Sequence, residues 1–95
     1  MTVYGTPAIT EFEKKHAQAR KPLARFLTLV RDAQWEHFPA VRETFPAADY
    51  AAETGTLIFD VGGNKYRLVA RVDFEEQALY IQAVMTHNEY NREKL

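Results

Sequence analysis

Ninety-five residues, 46% of them hydrophobic and 13% aromatic, are expected to form one packed domain over 1–95, with no length left for a regulatory module. Cysteine is absent, which excludes a disulfide framework and a thiolate zinc site. The formal net charge is −1, yet from Lys14 to Arg31 there are six basic side chains and no acidic one, a local patch able to attract phosphate or an acidic partner.

The patch reads equally as a solvated helical face. The opening MTVYGTPAITEFEKKH has neither the basic nor the apolar region of a signal peptide, and no apolar run approaches the roughly 20 residues that span a bilayer. A soluble, cytoplasmic protein without membrane contact is expected. His16, His37 and His87 are too far apart for a local metal motif, so no metal or other cofactor is expected.

Met1 to Tyr4 can form a short edge strand. Thr6-Pro7 predicts a helix start, with Thr6 as N-cap and Pro7 in the first turn. The helix runs to about His16, with Ile9 and Phe12 on one face. A second helix is predicted from Pro22, where Leu23, Phe26, Leu27 and Val30 recur at helical spacing. Trp35 and Phe38 follow, then a third short helix from Pro39 to about Phe45, closed by Pro46. A short strand is possible between Asp49 and Ala52.

From Thr56 the period changes from 3.6 to 2. Gly62-Gly63 is a two-glycine hairpin signal, and a turn there pairs Phe59 with Tyr66, Leu57 with Leu68, and Asp60 with Lys65. In the next strand Tyr66, Leu68, Ala70, Val72 and Phe74 alternate with Lys65, Arg67, Val69, Arg71 and Asp73. The last strand, about Ala78 to Thr86, presents Leu79, Ile81, Ala83 and Met85 to the core. A turn at Glu76-Gln77 places Leu68 opposite Met85 and Arg67 opposite Thr86. Asn88 to Leu95 closes as a helical turn or frays. The predicted class is α+β, a twisted antiparallel sheet backed by N-terminal helices.

The open face then carries Lys65, Arg67 and Arg71, with Gln82 and Thr86 alongside, and His87 and Tyr90 just beyond the strand end. Metal-independent cleavage of RNA uses the chain's own 2′-hydroxyl as nucleophile. It needs help in removing that proton, in stabilising charge on the phosphorus, and in protonating the departing 5′-oxygen. A guanidinium fork suits the phosphate, an imidazole suits either proton transfer, and a tyrosine stacks on a base or donates a hydrogen bond. Arg67, His87 and Tyr90 are the candidate catalytic residues; Lys65, Arg71 and Gln82 are candidates for holding RNA. Each has a plainer reading: arginines covering a solvated sheet, a histidine capping a strand, a tyrosine anchoring the C-terminus, a lysine beside a turn.

The run Phe59-Asp60-Val61-Gly62-Gly63-Asn64-Lys65-Tyr66-Arg67-Leu68-Val69-Ala70, with Tyr80-Ile81 and Val84-Met85-Thr86-His87-Asn88-Glu89-Tyr90, resembles the HigB family of toxins, within the RelE-like group of messenger-RNA interferases. The resemblance is close from Phe59 to Tyr90 and looser through the helices. It implies a compact α+β fold, cleavage of mRNA (in several members on the ribosome), and inhibition by a helix-turn-helix antitoxin (HigA-like), with a heterotetramer as one expected assembly. By position, Arg67 matches the strand arginine at the scissile phosphate, Lys65 the basic residue two before it, and His87 with Tyr90 the C-terminal His-x-x-Tyr. Gln82 stands where a basic residue is frequent in the family, and Asn91 where an acidic one is. The alternative function is a non-catalytic RNA- or ribosome-binding domain that blocks translation.

Overall fold

The computed structural model describes residues 1–94, and side chains through residue 92. Leu95, at the end of the segment predicted to close or fray, lies outside them. The elements in chain order are β1 (Thr2–Tyr4), α1 (Pro7–Lys15), a 3₁₀ turn (Ala17–Ala19), α2 (Arg20–Asp32), α3 (Phe38–Thr44), β2 (Asp49–Ala51), β3 (Thr56–Val61), β4 (Tyr66–Asp73), β5 (Ala78–Thr86) and α4 (His87–Lys94).

The start of α1 is set by the backbone. Gly5 turns at φ +88°, and a Cβ there would lie 2.5 Å from the Ile81 carbonyl oxygen, so this turn admits only glycine without a shift. Thr6 does not cap with its side chain, against expectation; its carbonyl accepts from the N–H groups of Ile9 and Thr10 instead. The second helix begins at Arg20, ahead of Pro22, because the 3₁₀ turn feeds straight into it. Pro22 falls in the first turn, where its missing N–H has no intrahelical acceptor to lose.

The sheet has the order β1-β5-β4-β3-β2 and is mixed rather than antiparallel. β3, β4 and β5 form a meander, β2 adds antiparallel to β3, and β1 fills the outer edge of β5 in parallel. A parallel neighbour needs a long connection, and the helices between β1 and the meander supply one. The helices are not all N-terminal, since α4 follows the last strand.

One face of the sheet makes the core. Leu23, Phe26 and Val30 of α2 pack with Leu57, Phe59, Leu68, Ala70, Leu79 and Ile81. Phe59 is the centre of an aromatic group, with Phe26, Trp35 and Phe45 around it at centroid distances of 5.0, 6.3 and 5.1 Å. Burying each large apolar side chain stabilises by about 1.5–3 kcal/mol. The indole N–H of Trp35 donates to Thr44 Oγ1, so the ring is buried without a stranded donor.

Both meander registers differ from the sequence expectation. Across β3 and β4 the observed pairs are Phe59 with Leu68, Leu57 with Ala70 and Asp60 with Arg67. This is a two-residue slip that keeps every side chain on its face. The connection is a longer loop in which Gly62 and Gly63 both take positive φ, and the slip replaces an Asp60–Lys65 pairing with Asp60–Arg67. Across β4 and β5 a bulge sits at Val69/Ala70, where β4 opposes Ala83 and then Ile81. The extra residue is Gln82. Beyond it the faces of β5 exchange: Met85, not Thr86, pairs with Arg67, and Val84 rather than Met85 packs against the core.

The β4–β5 turn is closed by Gln77 at φ +54°, an unusual conformation for a non-glycine residue. Its amide nitrogen donates to the carbonyls of Trp35 and Phe74, and its amide oxygen accepts from the Trp35 N–H. Three hydrogen bonds offset the backbone cost of about 1–3 kcal/mol.

Candidate active site

Alternation along β4 sends Tyr66 and Leu68 to the helices and leaves Arg67 on the opposite face. Tyr66 is a core residue, as expected, with its ring edge-on to Phe12 at 5.5 Å. Arg67 retains only 8% exposure, the one buried charged side chain among the described residues.

Burying a cation is costly unless its donors are satisfied, and here they are. Nη1 donates to the carbonyls of Tyr66 (3.1 Å) and Asn64 (3.4 Å). Nη2 reaches Asn64 Oδ1 at 2.7 Å and His87 Nδ1 at 2.8 Å. Nε is ion-paired with Asp60 Oδ1 at 3.2 Å, and the guanidinium carbon lies 5.9 Å from the centre of the Tyr90 ring. The fork is fully occupied by groups of its own chain.

His87 and Tyr90 are brought to Arg67 by α4, whose start is fixed in two ways. The His87 N–H donates to the Lys65 carbonyl at 2.9 Å, tying the helix to the glycine loop. Thr86 and Glu89 then form a reciprocal capping box. The Thr86 N–H donates to Glu89 Oε1 at 2.8 Å, and the Glu89 N–H donates to Thr86 Oγ1 at 3.2 Å. The Thr86 backbone N–H, followed by its hydroxyl, holds the Glu89 carboxyl below its ordinary pKa.

A guanidinium only donates, so His87 Nδ1 is the acceptor and its ring proton resides on Nε2. The side-chain amide of Asn91 lies 3.0 Å from Nε2. Its oxygen, which a half-turn of the amide places there, is the complementary acceptor. An acid at this position would accept in the same way with a full charge; asparagine does so without one.

Of the residues singled out from sequence, Arg67, His87 and Tyr90 come together. Lys65 is exposed at the rim, where its main chain is used. Arg71 is exposed two repeats further along β4, between Thr56 and Tyr80. Gln82 is exposed at the bulge and makes no hydrogen bond to the cluster. Sequence reasoning did not reach Asp60, Asn64, Asn91 or the capping pair as parts of the site. Asp60 needed the true register. The signal for the box stands in the sequence as Thr86-x-x-Glu89. Among the described residues no three His, Asp or Glu side chains are grouped as a metal site.

Residues 19–93 match the HigB_toxin family, described as the RelE-like toxic component of a toxin–antitoxin system. The "mRNA interferase toxin HigB" of Escherichia coli (strain K12) is 32% identical over 85 residues, covering 88% of this chain and 82% of that protein. The "mRNA interferase HigB" of Escherichia coli O157:H7 and that of Shigella flexneri match to the same extent. The strand arginine, the His-x-x-Tyr after β5 and these matches agree, and the chain belongs to the HigB family of RelE-like toxins of toxin–antitoxin systems.

Proposed function

We propose that this toxin is an endoribonuclease that cleaves mRNA without a metal, through attack of the 2′-hydroxyl on the adjacent phosphorus and departure of the 5′-oxygen. The reading is carried by one observation: two side chains 20 residues apart, Arg67 and His87, meet at 2.8 Å on the open face of the sheet, with Tyr90 over the guanidinium. In this reading Arg67 stabilises charge on the phosphorus and His87 takes part in proton transfer. Tyr90 positions the base or donates a hydrogen bond. Lys65 and Arg71 hold flanking phosphates, with Gln82 beside them.

The occupied fork adds a step. A phosphate oxygen gains Arg67 Nη2 only by displacing Asn64 Oδ1 or His87 Nδ1. Asn64 is exposed on a glycine loop and yields at least cost. Displacing it leaves the Arg67–His87 contact intact. The partners in this proposal are mRNA, the ribosome as the surface that aligns it, and a HigA-like helix-turn-helix antitoxin in a heterotetramer. The cell compartment is the cytoplasm.

The test is primer extension on a defined message with and without translating ribosomes, with EDTA in the ribosome-free arm. Cuts in free RNA with EDTA support a self-sufficient, metal-independent nuclease. Cuts only on ribosomes mean the ribosome supplies alignment. Arg67→Ala should lower turnover more than RNA affinity, and Arg71→Ala mainly affinity; two variants as toxic as the parent would sink the assignment. The full occupancy of Arg67 also favours a second reading, a non-catalytic ribosome binder that stops translation. Growth arrest with no cuts in either arm selects it.

A further inference from the structure

We propose that Tyr80, stacked on Tyr4, forms a base-stacking subsite on the open sheet face, with Arg71 binding the phosphate of the same nucleotide; this rests on the RNA-cleaving reading above. Tyr4 and Tyr80 are paired across the parallel β1–β5 ladder. Their rings lie 5.1 Å apart with an interplanar angle of 13°. They are 50% and 44% exposed, and with Leu29 they are the exposed large apolar side chains among the described residues. Two rings that brace each other upright at a sheet edge lose little further freedom when a base is added.

The row continues across the sheet. Arg71 pairs with Tyr80 on the other side, so Tyr80 has Tyr4 against one side and a groove lined by Arg71, Val72, Asp73 and Phe74 on the other. Arg71 is exposed and has no hydrogen-bond or ion-pair partner among the described residues. Asp73 is the acid in this groove, and its Oδ1 is engaged by the Glu76 N–H at 3.0 Å. An upright aromatic beside an uncommitted cation is how single-stranded RNA is bound without sequence reading: the ring takes the base and the cation takes the phosphate.

Position links this subsite to the cleavage site. Arg71 follows Arg67 by four residues on one strand face, about 13 Å at roughly 3.3 Å per residue, with Val69 between them. That separation places the stacked nucleotide further along the strand from the one at Arg67. A two-tyrosine patch also suits a protein partner. The free cation, and continuity with the Arg67 cluster on the same face, favour RNA.

The experiment is equilibrium binding, by fluorescence anisotropy, of a labelled single-stranded RNA carrying 2′-O-methyl groups, which lack the nucleophile. Wild type, Tyr80→Ala, Tyr80→Phe and Tyr4→Ala are compared, with thermal melts to verify folding and with primer extension on wild type in parallel. Tyr80→Ala should weaken binding about 5-fold or more, the lower end of one base–aromatic stack. Tyr80→Phe should bind like wild type and Tyr4→Ala should weaken in the same direction. Unchanged binding by a folded Tyr80→Ala protein, while wild type still cuts message, overturns the subsite and leaves the nuclease reading standing. A Tyr80→Ala protein that binds RNA like wild type but no longer co-purifies with the antitoxin assigns the patch to a protein and overturns the subsite too. Wild type that neither binds RNA nor cuts in either arm overturns the nuclease reading and the subsite with it.

Discussion

Arg67 illustrates what a buried cation demands of its neighbours. Its side chain is nearly inaccessible, so every nitrogen needs a partner, and each partner comes from a different piece of local structure: Asp60 from β3, Asn64 from the glycine loop, His87 from α4. Two predictions belong at this scale. Asp60→Asn keeps an acceptor but removes the counter-charge from a buried guanidinium, and should destabilise the fold by about 1–3 kcal/mol; urea unfolding of the two proteins measures this. Asn64→Ala removes one of the two acceptors at Nη2 and should tighten binding of the 2′-O-methyl RNA, at a stability cost of about 0.5–1.5 kcal/mol. Weaker RNA binding by that variant would mean that Asn64 contacts RNA rather than competing with it.

At the scale of elements, α4 determines whether the site exists. It has little apolar character and depends on its N-terminal fixings: the capping box and the His87 N–H to Lys65 carbonyl bond. The Glu89 pKa is lowered in the folded protein. Its stabilising contribution is therefore fully present above the ordinary carboxylate range and is lost as pH falls through the folded value. Glu89→Gln retains the box geometry without the charge. The stability gap between wild type and Glu89→Gln should be constant from neutrality down to pH ~5 and shrink on further acidification, as thermal melts across a pH series will show. A gap that widened in acid would contradict the capping role. The β5 bulge acts at the same scale. Without it Thr86 would pair with Lys65 on the open face; with it Thr86 pairs with Tyr66 and is placed to cap α4.

For the whole molecule, the sheet separates two charged surfaces. Lys14, Lys15, Arg20, Lys21, Arg25 and Arg31 are all exposed on or beside the helices that cover one face, while Arg67 and Arg71 belong to the other. A partner held by the helices therefore leaves the open face of the sheet, where RNA binding is proposed, uncovered. Reversing Arg20 and Arg25 to glutamate should weaken capture of an acidic antitoxin segment while leaving cuts in free RNA unchanged. Co-purification and primer extension on the same double variant measure both. Loss of cutting with antitoxin capture intact would place the RNA path over the helices instead.

The sequence by itself determined the elements and the faces, except at the end of β5 beyond the bulge. Helical spacing located Leu23, Phe26 and Val30, alternation separated Tyr66 and Leu68 from Arg67, and residue type with resemblance marked Arg67, His87 and Tyr90. These signals are local, set by periodicities of 3.6 and 2, and a slip of two residues does not disturb them. Only the tertiary structure decided the β3–β4 register, the bulge at Gln82 and the parallel docking of β1 on β5, because each depends on how segments distant in sequence pack and exhaust their hydrogen bonds. Those choices set Asp60 against Arg67, Thr86 opposite Tyr66 at the start of α4, and Tyr4 against Tyr80. A pattern read along one strand carries no record of what a neighbouring strand places beside it.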